Sequence, residues 1–431
     1  MDHIPVRRAR GEPRRTERAR APVEPDRRTP RSGCRGVGRQ SAGVRRSALL
    51  EDGRARVKIA HVVTYSSSDG AFGGPTRVAL AQAKALARRG HEVTVYAGSP
   101  RDEANDVVQD GYRLRTFPAR RLAPFGGFAT LWPEGMQRAL RRDLSDTDVA
   151  HIHLARDLVT LPAAMLSATS GVPFVVQPHG MVDASDRLLA KLLDAVAMRR
   201  VLRRARAWLV LTEREHADLA DLASAARVTR LVNGVEPTPP PPYDGRRDEV
   251  VFLARLHERK RPLAFVEMAR LLADRLPTTT FRIIGPDEGE GGKVAAAIDA
   301  ARMGDRLVWS GPLPPSETAD ALASARVYVL PSVNEVFPMS VLEAFIAGTP
   351  VVTTSSLGIA RDCERYGAAM VTDGSVEALA NAVQEVWRSP ARSKELRDGA
   401  RRYVETELDI EAVAATLERE YELAQEPARH A

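Results

Sequence analysis

The chain reads as an α/β protein built from two doubly wound parallel sheets that face each other across a cleft. Three observations predict this. From Val57 onward, short apolar runs alternate with amphipathic stretches; a proline-rich segment at 234–247, "GVEPTPPPPYDGRR", breaks the alternation; and the same alternation restarts beyond it. With 431 residues, 44% of them apolar, the chain is long enough for two cores of ordinary size.

In the first half the apolar runs are "VKIAHVVTY", "HEVTVYAG", "DVAHIHL", "VPFVVQP" and "AWLVLT", with the amphipathic "TRVALAQAKALARRG" between the first two. Their β-branched content and length fit strands, and the 3.6-residue period between them fits helices. A proline run cannot sit inside a parallel sheet, so 234–247 is expected to be a stiff connector between two units. Beyond it come "EVVFLARL", "TTTFRIIG", "RLVWSG", "ARVYVLPS" and "TPVVTTS", then three helical stretches after 374. The expected organisation is a tail over 1–56, a first domain over 57–236, a second over 247–405 and a terminal helix over 406–431. In sheets of this kind ligands bind beyond the carboxyl ends of the strands, so the loops after the strands carry the search for function.

Charge excludes one class of partner. The formal charge is +7, yet the first 56 residues hold 16 Lys and Arg against 7 Asp and Glu, so the remainder is slightly acidic. A nucleic-acid-binding fold needs its basic face on the folded part, and none is declared here. The tail, rich in Arg, Pro and Gly and without apolar period, is expected to be disordered. Cys34 and Cys363 are the only cysteines, which leaves no disulfide framework and fits a reducing cytoplasm. No apolar run reaches the ~18 residues of a membrane span.

Several motifs fail on position or spacing. "DTD" at 146–148 resembles a metal-binding Asp-x-Asp, but it precedes a strand, at the wrong edge of the sheet. His151 and His153 share one face of that strand and would ligate zinc only if a third ligand converged, so they are expected to line a core or a site. In "GPDEGEGGK", 285–293, the phosphate-loop spacing fails at Asp287 and Val294, and "GCRGVG", 33–38, has no strand before it.

Others are well placed. "SSSDGAFGGPTR", 66–77, follows the first strand and ends in a helix start, where Gly73 and Gly74 let a ligand approach free amides. "QPHGM" puts His179 at a strand's carboxyl end. "ARLHERKR" puts Arg255 and Lys260 in the loop after the first strand of the second half, and two cations at one point suit a diphosphate when no metal is bound. "PSVNEVFPMSVLEAFIAGTPVVTT", 331–354, holds Glu335 in a loop and Glu343 inside a helix that is expected to begin near Pro338. Two carboxylates in an apolar segment are costly unless they accept hydrogen bonds, and hydroxyl pairs of a ribose and of a sugar fit that need. Diphosphate, ribose and sugar together describe a nucleotide sugar.

Taken together these residues resemble the retaining, GT-B-fold glycosyltransferases of family 4, the glycosyltransferase group 1 proteins, over the span from Val57 to the C-terminal helices. The E-x7-E signature of Glu335 and Glu343 carries most of the likeness, with "GGPTR", "PHGM", "LVNGVE" and "ARLHERKR" in the family's order. The resemblance implies two Rossmann-like domains, the second binding the donor. It implies Glu343 on the donor ribose, Glu335 on the transferred sugar, Arg255 and Lys260 on the diphosphate, and His179 on a sugar hydroxyl near the reacting carbon. Gly73 and Gly74 would line the donor phosphate and acceptor region, Phe337 would contribute to the donor pocket, and no metal or other cofactor is implied. Many relatives have Gly where this chain has Pro338, which offers no N–H, so the amides of Met339 and Ser340 take over the phosphate contact in this expectation.

The expected activity is therefore sugar transfer from a nucleotide sugar to a glycan, lipid-linked or small-molecule acceptor, as in polysaccharide biosynthesis. A nucleotide-sugar epimerase or hydrolase of the same fold, and a catalytically silent subunit of a transferase, are the alternatives. The stretch "DRLLAKLLDAVAMRRVLRRARA", 186–207, combines an apolar side with Arg199, Arg200, Arg203 and Arg204. It reads either as a helix packed on the sheet or as a peripheral contact with the inner face of a membrane.

Overall fold

The computed structural model describes residues 55–67, 73–123, 127–182, 197–224, 227–243 and 245–427. Residues 1–54 of the tail, with Cys34 and "GCRGVG", lie outside them, as do 186–196 of the basic stretch and 68–72 of the first glycine loop.

The first sheet comprises β1 (Lys58–Tyr65), β2 (Glu92–Ser99), β3 (Asp106–Gln109), β4 (Tyr112–Arg121), β5 (Leu131–Pro133), β6 (Val149–Ile152), β7 (Phe174–Val176), β8 (Ala207–Val210) and β9 (Val228–Arg230). Its order is β3-β4-β2-β1-β6-β7-β8-β9, with β5 paired to β4. Pairing is parallel except where β4 meets β3 and β5. β1 is buried along nearly its whole length and packs on both faces, which is why its run is continuously apolar rather than alternating.

The second sheet comprises β10 (Glu249–Leu253), β11 (Thr280–Ile284), β12 (Leu307–Trp309), β13 (Val327–Leu330), β14 (Val351–Thr354) and β15 (Met370–Thr372), all parallel, in the order β12-β11-β10-β13-β14-β15. The direction of winding reverses between β10 and β13, so the loops that leave their carboxyl ends diverge and open a crevice. A matching reversal flanks β1 in the first sheet, between β2 and β6.

The proline-rich connector is docked on the second half. Tyr243 Oη donates to the Arg326 carbonyl at 3.0 Å, and the Arg246 guanidinium donates to the carbonyls of Ala325 and Ala347 and to Thr349 Oγ1. After helices Val376–Arg388 and Pro390–Thr406, the last helix, Ile410–Gln425, returns to the first sheet. There Ile410, Val413, Leu417 and Tyr421 share an apolar cluster with Ile59, Val63, Val93 and Val95. Leu211 and Val235 of the first half pack in turn with Phe337, Leu357 and Ile359 of the second, so apolar burial joins the halves at the seam.

Candidate active site

The β10/β13 reversal determines where the charged loops meet. Chain leaving β10 runs through Arg255 to a short turn of 3-10 helix, Glu258–Lys260, and chain leaving β13 runs from Pro331 to Pro338. The Val333 amide donates to the Arg259 carbonyl at 2.9 Å, which stitches the two loops together. Across this stitch Lys260 Nζ contacts both oxygens of Glu335, and each side chain is only 13% exposed. Burial pushes the Lys260 ammonium below its ordinary range, and the Glu335 carboxylate opposes that shift. Arg255 lies near enough to act on Lys260 electrostatically, and it pairs with Glu288 at 2.5 Å while half exposed.

Glu343 lies within the helix Met339–Ile346, whose start at Met339 leaves the amides of Met339 and Ser340 without partners inside the helix. Its carboxylate pairs with Arg77, which projects from the first helix of the other half, Gly73–Arg88. Burial raises the Glu343 carboxyl above the usual range, and Arg77 pulls it back. Tyr328, inside β13, is fully buried near both acids; its hydroxyl bonds Ser340 Oγ at 2.8 Å, and the two carboxylates reinforce the upward push that burial gives its phenol. Glu335, Glu343, Lys260 and Arg255 thus come together at the β10/β13 reversal. Phe337 is buried in the apolar cluster with Val341, Leu342 and Phe345, supporting the loop from beneath.

The first half contributes His179. It follows β7 in a turn closed by the Met181 amide on the Pro178 carbonyl at 2.9 Å, and the central residues His179 and Gly180 have φ of 55° and 71°. Two left-handed positions in succession are the pattern of a type I′ turn, and they explain the glycine. A Cβ on Gly180 would lie 2.5 Å from Val336 Cγ2, so the turn presses directly on the residue after Glu335. Buried Glu215 holds the turn from behind by accepting the amides of Gly180 and Leu211. Asn233, from the "LVNGVE" loop, donates Nδ2 to Met339 Sδ at 3.6 Å. At Gly74 an added Cβ would meet nothing within 4 Å among the described residues.

Residues 240–403 match the family model of the glycosyl transferases group 1, and residues 73–234 match a glycosyl transferase 4-like domain. The 2-deoxystreptamine glucosyltransferase of Streptomyces kanamyceticus is 30% identical over 304 residues, 64% of this chain and 77% of that protein. The chain belongs to the group 1 glycosyltransferases. It is accordingly a glycosyltransferase of GT-B fold. A D-inositol 3-phosphate glycosyltransferase of Kineococcus radiotolerans is 26% identical over 402 residues, 82% of this chain and 90% of that one. The crystal structure of Anabaena HepE in complex with UDP and glucose superposes with a TM-score of 0.66 at 17% identity, covering 84% of this chain and 99% of that chain, a likeness of fold.

The motifs rejected from spacing take structural positions in this glycosyltransferase. Asp146 pairs with Lys58 Nζ at 2.5 Å and Asp148 accepts the Lys58 amide at 2.8 Å, both at the amino edge of β1 and β6. Asp287 accepts the amides of Gly289 and Gly291 at 2.8 Å each, closing the turn ahead of helix Gly291–Ala301. His151 and His153 do acquire a third histidine. Register pairs His61 on β1 with His151 on β6, and one ring nitrogen of each of the three lies within 4.8 Å of the others.

Four residues escaped the sequence reading. Arg77 and Asn233 stand inside quoted motifs but carry no local pattern that assigns them to a partner 266 and 106 positions away. Tyr328 is an ordinary strand tyrosine until β13 is placed. Glu215 did have a signal: Thr212-x-x-Glu215 is a capping box, and Thr212 Oγ1 accepts the Glu215 amide at 3.2 Å. Its carboxylate, however, turns outward to the His179 turn rather than back to the cap.

Proposed function

We propose that the enzyme transfers a sugar from a nucleoside diphosphate sugar, with retention at the anomeric carbon and without a metal, to a small polyhydroxylated acceptor. The observation that supports this best is the gathering of Lys260, Arg255, Glu335 and Glu343 around Tyr328 at the β10/β13 reversal. In this reading Lys260, Arg255 and the amides of Met339 and Ser340 face the diphosphate. The buried, aprotic acceptor set suits hydroxyls: Glu343 receives a ribose diol and Glu335 the transferred sugar. His179 borders the reacting carbon of the sugar in this reading, and Gly73 and Gly74 let donor and acceptor approach the first helix.

As the anomeric C–O bond lengthens, positive charge grows on the sugar ring and negative charge on the departing diphosphate oxygen. The lysine and arginine stabilise that oxygen, each such preorganised donor being worth ~3 kcal/mol. The acceptor oxygen forms its bond to the same face, and its proton passes to the departing phosphate oxygen. Glu335 is held by Lys260, which favours a positioning role over nucleophilic attack. The names of the relatives, acting on 2-deoxystreptamine and on an inositol phosphate, support a cyclitol acceptor, and the UDP and glucose in HepE support a nucleoside diphosphate donor.

The test is a matrix of nucleotide sugars against 2-deoxystreptamine and myo-inositol 3-phosphate, reading nucleotide release and the anomeric configuration of the product. Release that requires an acceptor and yields the donor's anomer supports transfer; equal release without acceptor supports the hydrolase or epimerase alternative. Among the described residues no helix is long and apolar enough to cross a membrane. Arg199, Arg200, Arg203 and Arg204 are exposed on helix Arg199–Arg204, and salt-sensitive co-sedimentation with anionic vesicles is the test of a peripheral contact there.

A further inference from the structure

Beneath His179 lies a group of buried polar side chains that sugar transfer does not call on. His61, His151, His153 and Tyr421 are all fully buried, as are Gln82 and Gln177 beside them. They form a connected path. Tyr421 Oη lies 2.7 Å from His151 Nδ1 and 3.1 Å from His61 Nε2. His61 Nδ1 lies 3.2 Å from His153 Nε2, and His153 Nδ1 lies 2.7 Å from His179 Nε2. The His153 and His179 rings stack with their centroids 5.0 Å apart.

We infer that Tyr421, on the returning C-terminal helix, anchors a one-way chain of hydrogen bonds through His61 and His153 that holds the His179 ring as a donor at Nδ1. The direction is decided at the crevice end. A thioether sulfur only accepts, so the Asn233 amide nitrogen faces Met339 Sδ and its oxygen is left for another partner. Asn233 Oδ1 and His179 Nδ1 are both buried without a hydrogen-bond partner, and the two side chains lie close enough to interact. The proton of His179 therefore belongs on Nδ1, and its Nε2 accepts from His153.

A neutral imidazole has one donor and one acceptor, so this choice propagates. His153 donates from Nδ1 and accepts at Nε2, and His61 does the same. Tyr421 donates its only proton to His61 and accepts from His151 Nδ1. His151 Nε2 is then left as an acceptor, and the Gln177 amide nitrogen, whose own oxygen takes the Gln82 amide at 3.1 Å, is an unpartnered buried donor for it. Of the atoms otherwise orphaned along this path, Gln177 Nε2, His151 Nε2, His179 Nδ1 and Asn233 Oδ1 find a use in this one arrangement, and Gln82 Oε1 alone does not. Burial supports the neutrality it needs: His61 and His179 are pushed down to about 3, and His151 and His153 well below their ordinary value. All four histidines would carry the proton on Nδ1, the minor form of a histidine in water. Tyr421 is thus a positioning residue, acting on the crevice from another helix.

The catalytic consequence rests on the proposed sugar transfer, but the ring protonation does not, so the two fail separately. The experiment is a long-range proton–nitrogen spectrum of the full chain labelled in its histidine rings, with His179 assigned through His179→Gln. The expected result is protonation of His179, His153, His61 and His151 at Nδ1. In Tyr421→Phe, which keeps the buried ring, the His61 and His179 signals shift toward a mixture of forms, and kcat falls about tenfold with KM nearly unchanged, the size of one lost hydrogen bond. Leu417→Ala, in the same helix and cluster, lowers Tm without moving those signals. Protonation of His179 at Nε2, or an unaltered His179 spectrum in Tyr421→Phe, overturns the inference. So does tight stoichiometric zinc: three ring nitrogens within 4.8 Å are the makings of a tri-histidine site. Zinc added alone, moving His61, His151 and His153 together into a metal-bound pattern, would replace the chain with that site.

Discussion

Replacing Lys260 by Met and Glu335 by Gln, singly and together, separates what this pair does for the fold from what it does for the reaction. Both side chains are 13% exposed, so Lys260→Met leaves a mostly buried carboxylate without its cation. Breaking such a pair costs ~3–5 kcal/mol when burial is complete. The remaining exposure, and relief from the desolvation that already depresses Lys260, bring the expected loss to about 2 kcal/mol. Two neutral side chains of similar size bury no charge, so the double variant should return to within about 1 kcal/mol of the parent. Activity should not follow. In the proposed reaction, loss of a preorganised cation at the departing diphosphate is worth ~3 kcal/mol, a drop in kcat of roughly 150-fold, and the double variant keeps that loss. Urea unfolding and steady-state turnover on the same four proteins form the assay. A double variant that recovers both stability and turnover would show that the pair is structural only. A Lys260→Met enzyme within threefold of the parent would refute the charge assignment outright.

Burial raises the Glu343 carboxyl, so the folded state holds that proton more tightly than the unfolded chain does, and the ionised form is a penalty above the raised value. Glu343→Gln should therefore melt at a higher temperature than the parent at pH 7, with the difference closing as pH falls toward 4, while its KM for the nucleotide sugar rises. Arg77→Ala removes the cation that opposes this shift; carboxyl-carbon NMR should find Glu343 titrating at still higher pH, with under ~1 kcal/mol lost in stability because the arginine is half exposed. Gly180→Ala places a Cβ at φ +71°, 2.5 Å from Val336 Cγ2, and should cost ~2 kcal/mol in thermal unfolding. Adding Val336→Ala should return the steric part of that cost and leave the backbone part.

The layout of strands and helices was legible because parallel, doubly covered sheets write continuous apolar runs, and "VKIAHVVTY" and "ARVYVLPS" became β1 and β13. Lys260 and Glu335 were legible as loop residues after strands, but their meeting depends on β10 lying next to β13, a fact of strand order that no local pattern encodes. The same limit hid the third histidine: His61 looks like one polar residue in an apolar strand until register sets it beside His151. Arg77 was hidden for a different reason. A surface arginine in a helix is commonplace, and only the approach of the two halves gives it Glu343. Asp146 and Asp287, by contrast, were legible locally, the first from its position before a strand and the second from its spacing, since each acts on its own edge or turn.

The central claim, that the crevice at the β10/β13 reversal receives a nucleoside diphosphate, is tested most directly by calorimetric titration of UDP, GDP, ADP and TDP into the parent, Lys260→Met and Glu343→Gln proteins. At least one nucleotide should bind the parent, with affinity falling tenfold or more in each variant. Equal binding to all three proteins, or binding of none of the four nucleotides to the parent, would contradict the account.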